Sequence, residues 1–327
     1  MKYDIKLSPF QAIAGLIALG LLLCTGAKSD DTATKEEFFA PVIEKLLAKG
    51  GDSAFVYFLV NHKNTSFDDS FVKINVTGYL KKHDYSHNYS AYSVKKAKTF
   101  LQEYEQILVK AERKYGVPKE VITSVIWVET KFGKFLGRNH VPSVYLSTAM
   151  ANQEEFIKLN KEELHENFEG SEEETKKLEK KIESRAERKS EWALGELLAL
   201  QKIHEDTLLT ITNLEGSWAG AFGLSQFLPS SYVRWAVDGN DDGRIDLFDM
   251  EDAFFSVANY LKSNGWGSTR KAKRKAVYHY NNSSDYVDAV FELASRITDD
   301  EENIPETVVE TDYKTPLRFQ LRTMPER

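Results

Sequence analysis

Apolar residues recur at helical spacing along most of the chain, and the polar breaks between them divide it into helices. Lys35 to Lys49 carries Phe38, Phe39, Val42, Ile43, Leu46 and Leu47 on one face and stops at Gly50-Gly51. Ser53 to Val60 is apolar but too short to classify by period. Asp68 to Ser93 reads as irregular and rich in Tyr and His. Val94 to Tyr115 reads as one long amphipathic helix, broken by Gly116-Val117-Pro118, and Pro118 opens the next helix at a position where proline is tolerated. Asn152 to Arg188 is dense in Glu and Lys with widely spaced aliphatics, the pattern of an exposed helical hairpin broken near Gly170. Amphipathic helix returns over Trp192 to Leu214, over Asp252 to Gly265, and from near Ser284.

One helix carries a carboxylate on the wrong face. In VITSVIWVETKFG, Val121 to Gly133, the residues Ile122, Val125 and Ile126 mark the buried stripe. Glu129 follows Ile126 by three positions and Val125 by four, so it shares that stripe. An ionised carboxylate is costly there, and its pKa should rise. A carboxylic acid still protonated near neutral pH suits general acid catalysis. The competing reading is a buried Glu paired with a basic residue for packing alone.

A second dense stretch is GSWAGAFGLSQFLPSSY, Gly216 to Tyr232. Its glycines and alanines let a ligand approach the backbone, and Ser217, Ser225 and Gln226 supply polar groups. Trp218 and Phe222 read as platforms for a sugar ring. DGNDDGRIDLFD, Asp238 to Asp249, follows the EF-hand pattern. Asp238, Asn240 and Asp242 stand at loop positions 1, 3 and 5, with Gly243 at 6, the Arg244 carbonyl at 7, Ile245 at 8 and Asp249 at 12, where the usual residue is Glu. A single such loop points to a structural calcium ion rather than a sensor. The pair His83 and His87 has helical spacing but no third ligand beside it, so packing is favoured over zinc.

The chain has 327 residues, 42% of them hydrophobic, and a net charge of −7. That length allows one large domain or two lobes, and the acidic balance argues against nucleic acid as the main partner while leaving glycans open. Residues 1–27 form an export signal, with Lys2 and Lys6 ahead of an apolar run from Ala12 to Leu23. Cys24, the one cysteine, ends that run where a lipid anchor would attach, although Leu23 before it is larger than the lipoprotein pattern prefers. Cleavage after Ala27 and an uncleaved anchor are the rival readings. All three place the chain outside the cytoplasm. Without further cysteines the exported protein relies on its core.

YGVPKEVITSVIWVETKFGKFLG, GSWAGAFGLSQFLPSSY, AVDGNDDGRIDLFD with SVANYLKSNGW, and YNNSSDYVDAV occur in that order. Together they resemble the lytic murein transglycosylase B family over about Tyr92 to Arg296. The resemblance implies a mostly α fold: a lysozyme-like helical catalytic domain with an additional helical lobe and one EF-hand-like calcium loop. The expected organisation is a signal over 1–27, an N-terminal extension over 28–91, the transglycosylase domain over 92–297 and a tail over 298–327. Residues 152–188 form a charged insertion, longer than the family pattern, that covers the cleft, binds a protein partner or simply protrudes. The resemblance further implies cleavage of the β-1,4 bond between N-acetylmuramic acid and N-acetylglucosamine in peptidoglycan without water, giving 1,6-anhydro ends, and no organic cofactor. Glu129 is then the single acid and base, with Glu215 the nearest rival carboxylate. Ser217 and Gln226 resemble the family's glycan contacts, and Tyr280 and Asn281 its Tyr-Asn pair beside the cleaved bond. Arg188 and Lys189 align with a basic pair facing the stem peptide, where the lysine departs from the pattern. Calcium would be held by Asp238, Asn240, Asp242, Arg244 and Asp249. A hydrolytic muramidase on the same fold and a non-catalytic peptidoglycan-binding protein are the alternatives.

Overall fold

The computed structural model describes residues 33–77, 84–168, 170–207 and 209–298. The export signal, Cys24, His83 and the tail beyond Thr298 therefore lie outside the described residues. The fold is mainly helical, as the apolar spacing predicts. Three helices open it: α1 (Lys35–Ala48), α2 (Ser53–Asn61) and α3 (Asp69–Thr77). Thr34 caps α1 through a reciprocal capping box with Glu37, and Asp52 caps α2 by accepting the Phe55 N–H. Both α2 and α3 lie in stretches that apolar spacing leaves unassigned or irregular. They are short, and burial of Phe55, Val56, Leu59 and Val60, and of Val72 and Val76, is what holds them helical.

The long helix expected over 94–115 is two helices, α4 (Ala91–Glu103) and α5 (Glu105–Tyr115), which meet at Tyr104. The Tyr104 ring is wedged against Phe100 and Phe254, at 4.6 and 5.6 Å between centroids. The break lets α4 pack on α6 (Lys119–Thr130) while α5 turns onto α11 (Met250–Ser263). Helix α7 (Val141–Ala149) is buried at all nine positions. The charged segment forms α8 (Glu154–Asn167) and the first half of α9 (Glu172–Asp206), with the turn falling at Gly170 as the sequence suggests. No boundary appears at 188, because α9 runs unbroken for 35 residues and its second half packs on α7 and on α10 (Pro229–Trp235).

Helices α1 and α3 pack against α7 and α9 and form one group. Helices α4, α5, α6 and α11 form the other, with α12 (Arg270–Tyr280) and α13 (Ser284–Thr298). Between the groups, β1 (Asn139–His140) and β2 (Glu215–Gly216) pair antiparallel, with Asn139 opposite Gly216. No described helix is long and apolar enough to cross a membrane.

Candidate active site

Glu129 sits in the last turn of α6, whose other residues from Val121 to Trp127 are all buried. The helix ends at once behind it. Lys131 and Phe132 both adopt left-handed backbone, φ 51° and 58°, which is strained for residues with a Cβ. Three contacts hold that strain. Phe132 stacks flat on Phe100 at 3.7 Å between centroids, and the Lys131 ammonium donates to Asn88 Oδ1 and to the Trp127 carbonyl. The chain then crosses the glycine-rich loop so closely that a Cβ on Gly137 would lie 2.0 Å from the Gly216 carbonyl oxygen. Gly137 also has φ +88°, so glycine is needed there twice over. In this way the α6 terminus and the Gly216–Tyr232 loop become one wall.

Helix α13 packs along α6 and aims Tyr286 at the acid, and the Tyr286 hydroxyl donates to Glu129 Oε1 at 2.6 Å. Tyr286 is paralleled by Tyr280, 6.4 Å away and tilted by 9°, and met edge-on by Tyr85 at 5.8 Å. Tyr85 is hydrogen-bonded to Asn281. Tyr280 donates through its hydroxyl to the Ser225 carbonyl at 2.5 Å. Burial removes water from the Glu129 carboxylate and raises its pKa from 4.5 to about 7. The Tyr286 hydrogen bond and the Lys131 charge pull the other way and are outweighed. The Glu129 residue as a whole keeps some exposed area, while its carboxyl is desolvated. Burial and the nearby Glu129 raise the Tyr286 phenol well above its ordinary range, so it remains a donor throughout the titration of Glu129. Lys131 is lowered to about 8, chiefly by burial.

The other expected residues divide into two sets. Gln226 stands in the shared wall with φ 49°, its amide donating to the Leu136 and Gly223 carbonyls at 3.2 and 2.9 Å. Its Oε1 carries no hydrogen bond among the described residues. Ser217 Oγ accepts the Ala219 and Ala221 N–H groups, which folds the loop start onto itself. Tyr280 and Asn281 join the Glu129 cluster through Ser225 and Tyr85. Trp218 is 38% exposed, as a platform must be, but Phe222 is 0% exposed and bridged to Phe227 across the loop, so it is core and not a sugar platform. Glu215 is exposed on β2. Arg188 and Lys189 lie on α9, in the other helix group. Arg188 donates to Ser184 on its own helix, and Lys189 reaches Asn75 Oδ1 at 3.5 Å and covers Trp192 at 4.0 Å. Arg185, one turn earlier, donates to the Asn75 and Val76 carbonyls at the end of α3. This basic group therefore fastens α9 to the C-terminus of α3, where cations are favoured.

In the acidic loop, Asp242 N–H lies within reach of both Asp238 Oδ1 and Asn240 Oδ1, at 3.3 and 3.0 Å. Asp238 Oδ2 accepts from Gly243, whose φ of +83° makes the sharp turn. These side chains turn onto the loop's own backbone N–H groups. Asp249 does not join them. It caps α11, accepting the Glu251 and Asp252 N–H groups. Asp252, 1% exposed, ties the loop down by accepting from Gly239 and Asp246 at 2.7 and 2.6 Å. Among the described residues no three His, Cys, Asp or Glu side chains gather to hold a metal. The α8–α9 hairpin bears an open recess lined by Lys158, Lys161, His165 and Glu179, but its charges pair internally, Lys161 with Glu183 and His165 with Glu179.

Tyr286, Tyr85 and Lys131 were not singled out by sequence spacing. Tyr286 lies six residues after Tyr280 in a quoted motif, and Tyr85 lies in the Tyr-rich segment, so composition hinted at both.

A carboxyl desolvated at the end of a buried helix and hydrogen-bonded to a tyrosine has the setting a general acid requires. The chain belongs to the transglycosylase SLT domain family, whose model matches residues 64–278. It is 34% identical over 174 residues to membrane-bound lytic murein transglycosylase B of Escherichia coli, a match covering 53% of this chain and 39% of that relative. The match thus spans well under two thirds of the relative's length. The Escherichia coli lytic transglycosylase SLT35 in complex with bulgecin A has the same fold, with a TM-score of 0.61 and 23% identity over 79% of this chain and 92% of that one. SLT35 is also known in complex with calcium, TM-score 0.59 at 22% identity over 79% of this chain and 92% of that one. SltB3 of Pseudomonas aeruginosa in complex with NAG-anhNAM-pentapeptide matches at a TM-score of 0.60 and 20% identity, over 81% of this chain and 80% of that one.

Proposed function

We propose that this protein is a peptidoglycan lytic transglycosylase with Glu129 as its single acid and base. The observation that carries the reading is the placement of the Glu129 carboxyl at the end of buried α6 with the Tyr286 hydroxyl donating to its Oε1 at 2.6 Å, a setting in which burial raises its pKa to about 7. Protonated Glu129 gives its proton to the glycosidic oxygen as the bond from C1 of N-acetylmuramic acid breaks. The resulting carboxylate takes the proton from the muramyl 6-hydroxyl as O6 bonds to C1. The Glu129 proton is thereby restored, and a 1,6-anhydro end replaces the bond without water. One carboxylate suffices, in contrast to glycosidases that use two. Burial of the Glu129 carboxyl keeps water from the group that moves the proton. Gln226 Oε1, the Ser217 hydroxyl and Asn281 are the groups assigned to the glycan, and Tyr280 supports the wall behind them. Arg188, exposed on α9, is the member of its pair left to meet a stem peptide. The relative named for murein and the SltB3 complex support this substrate class.

Calcium is assigned to the loop at Asp238, Asn240, Asp242 and the Arg244 carbonyl, a donor set of hard oxygens that suits it. Asp249 offers it only the oxygen not used in capping α11. Its role is structural. The chain is assigned to the cell-wall side of a membrane, exported by residues 1–27 and either periplasmic or anchored, with Cys24 the residue for a lipid anchor.

Mass spectrometry of peptidoglycan digested by wild type and by Glu129→Gln tests the assignment. Anhydro-muramyl ends from wild type alone are expected. Reducing ends would instead make the protein a hydrolytic muramidase, and binding without release by wild type would make it a non-catalytic binding protein.

A further inference from the structure

Lys131 is a cation held inside the wall that carries Glu129. It lies two residues past the acid, in left-handed backbone with φ 51°. Its ammonium donates to Asn88 Oδ1 and to the Trp127 carbonyl, the latter at 3.1 Å, and stands 5.1 Å from the centre of the Trp127 ring. All of these partners are neutral, and among the described residues Lys131 forms no ion pair. A charge drawn out of water without a counter-charge costs stability, and burial lowers this ammonium to about 8. The helix end does not require it, because the Trp127 carbonyl already accepts the Lys131 N–H at 2.9 Å. The carboxyl that interacts with this charge is Glu129.

Asn88 fixes where the charge sits. It belongs to a short 3-10 turn, Ser86–Tyr89, and is 1% exposed. Its side-chain amide donates to the Tyr85 carbonyl at 3.1 Å. The Tyr85 ring meets Tyr286, and Tyr286 donates to Glu129. The contacts thus close a circuit around the acid that runs through Lys131, Asn88, Tyr85 and Tyr286. The other titratable groups facing Glu129 are Tyr85, Tyr280 and Tyr286, all raised by burial, so they stay neutral while Glu129 titrates. Beside Lys131, His87 is lowered by burial and by the Lys131 charge, so it too is neutral near pH 7. Asp84 acts on His87, and Asp285 on Tyr85. Lys131 is the charged side chain that acts on Glu129 itself.

We propose that Lys131, held in place by Asn88, is a positioning residue for the acid: its ammonium stabilises the carboxylate left on Glu129 when the proton passes to the glycosidic oxygen. This rests on the reading of Glu129 as the general acid. Burial alone keeps the proton on Glu129 and so opposes its transfer. A cation fixed nearby offsets that effect at the moment the negative charge appears. Because Asn88 and the Trp127 carbonyl already hold it, no reorganisation is needed during the step. Tyr286 supports the carboxylate by a hydrogen bond from α13, and Lys131 supports it by charge from the end of α6.

The test is the pH profile of peptidoglycan cleavage by the full chain and its variants. Lys131→Met keeps the reach of the side chain and removes the charge. The alkaline limb of its kcat/KM profile should lie roughly one pH unit above that of wild type. Its kcat at the plateau should fall about three- to tenfold, with KM held within about twofold. Lys131→Arg restores a cation and should return the limb to within about 0.3 pH unit of wild type. Asn88→Asp keeps an oxygen for the ammonium but sets a negative charge against it, so its limb should also move up. A limb that stays in place in both Lys131→Met and Asn88→Asp, with only the melting temperature lowered, would overturn the proposal and leave the pair a structural tie. A raised KM with kcat unchanged would overturn it as well, because Lys131 would then act by binding substrate. If Lys131→Met does not fold, Asn88→Asp decides the matter. Titration of the Glu129 carboxyl by NMR, in protein labelled with carbon-13 at glutamate, should show the same upward shifts without substrate. Reducing ends, or no ends at all, from wild type would mark failure of the enzymatic reading, and the NMR titration would still decide whether Lys131 and Asn88 set the charge on Glu129.

Discussion

Replacing Glu129 by Gln should stabilise the protein, and by an amount that grows with pH. In the unfolded chain Glu129 titrates near 4.5, and in the folded chain near 7. Between these values the folded protein holds a proton that the unfolded chain has lost. Its stability therefore falls as pH rises through this window, because the folded state binds more protons. The span from 4.5 to about 7 corresponds to at most about 3 kcal/mol at 1.36 kcal/mol per pH unit. Glutamine has nearly the same shape, accepts the Tyr286 hydrogen bond and does not titrate. All other ionisable groups are common to the two proteins, and Lys131, lowered to about 8, titrates above the window. Urea unfolding of both proteins at intervals from pH 4.5 to 7.5 gives the difference directly. The two curves should nearly meet, apart from a constant offset, at the acid end. They should separate by about 2–3 kcal/mol at the neutral end, with the glutamine variant the more stable. A difference that is flat with pH would refute the claim that burial raises this carboxyl.

Tyr286→Phe removes a hydrogen bond that favours the carboxylate, so Glu129 should stay protonated to higher pH. The alkaline limb of the kcat/KM profile should move up by roughly one pH unit, and a limb that moves down would contradict the geometry. Asp252→Ala leaves the Gly239 and Asp246 N–H groups without their acceptor and should lower stability by about 1–3 kcal/mol in thermal or urea unfolding. Glu196→Ala should cost a similar amount, about 1–3 kcal/mol, because this carboxylate, 3% exposed, accepts from both the backbone and the hydroxyl of Ser230 at the start of α10. Calcium should raise the Tm of the wild type and leave that of Asp238→Ala unchanged; a wild-type Tm indifferent to a chelator would argue against the ion.

The mainly helical fold and the buried position of Glu129 were legible because both are periodic. Glu129 falls on an apolar stripe by spacing alone, and the structure keeps it there. Features set by distant pairings were not legible. Tyr286 donates to Glu129 across 157 residues, and nothing local distinguishes its tyrosine from a core residue of α13. The break at Tyr104 was hidden because α4 and α5 continue one amphipathic pattern, and the bend serves the packing of α5 onto α11. Phe222 looked like a platform because its neighbours are small and polar, yet its loop folds inward on Phe227. In the acidic loop the pattern marked Asp249 as the closing ligand, whereas its place at the start of α11 commits it to capping, and Asp252 holds the loop. The boundary read at 188 reflected a change in surface charge, which α9 crosses without interruption.

The central claim is that Glu129 passes its proton between two oxygens of the glycan with water excluded. The most direct measurement is digestion of peptidoglycan in water enriched in oxygen-18, followed by mass spectrometry of the muropeptides. The account predicts anhydro-muramyl products without heavy oxygen, from wild type and not from Glu129→Gln. Reducing ends carrying one heavy oxygen would contradict it and show that water, not the 6-hydroxyl, is the nucleophile.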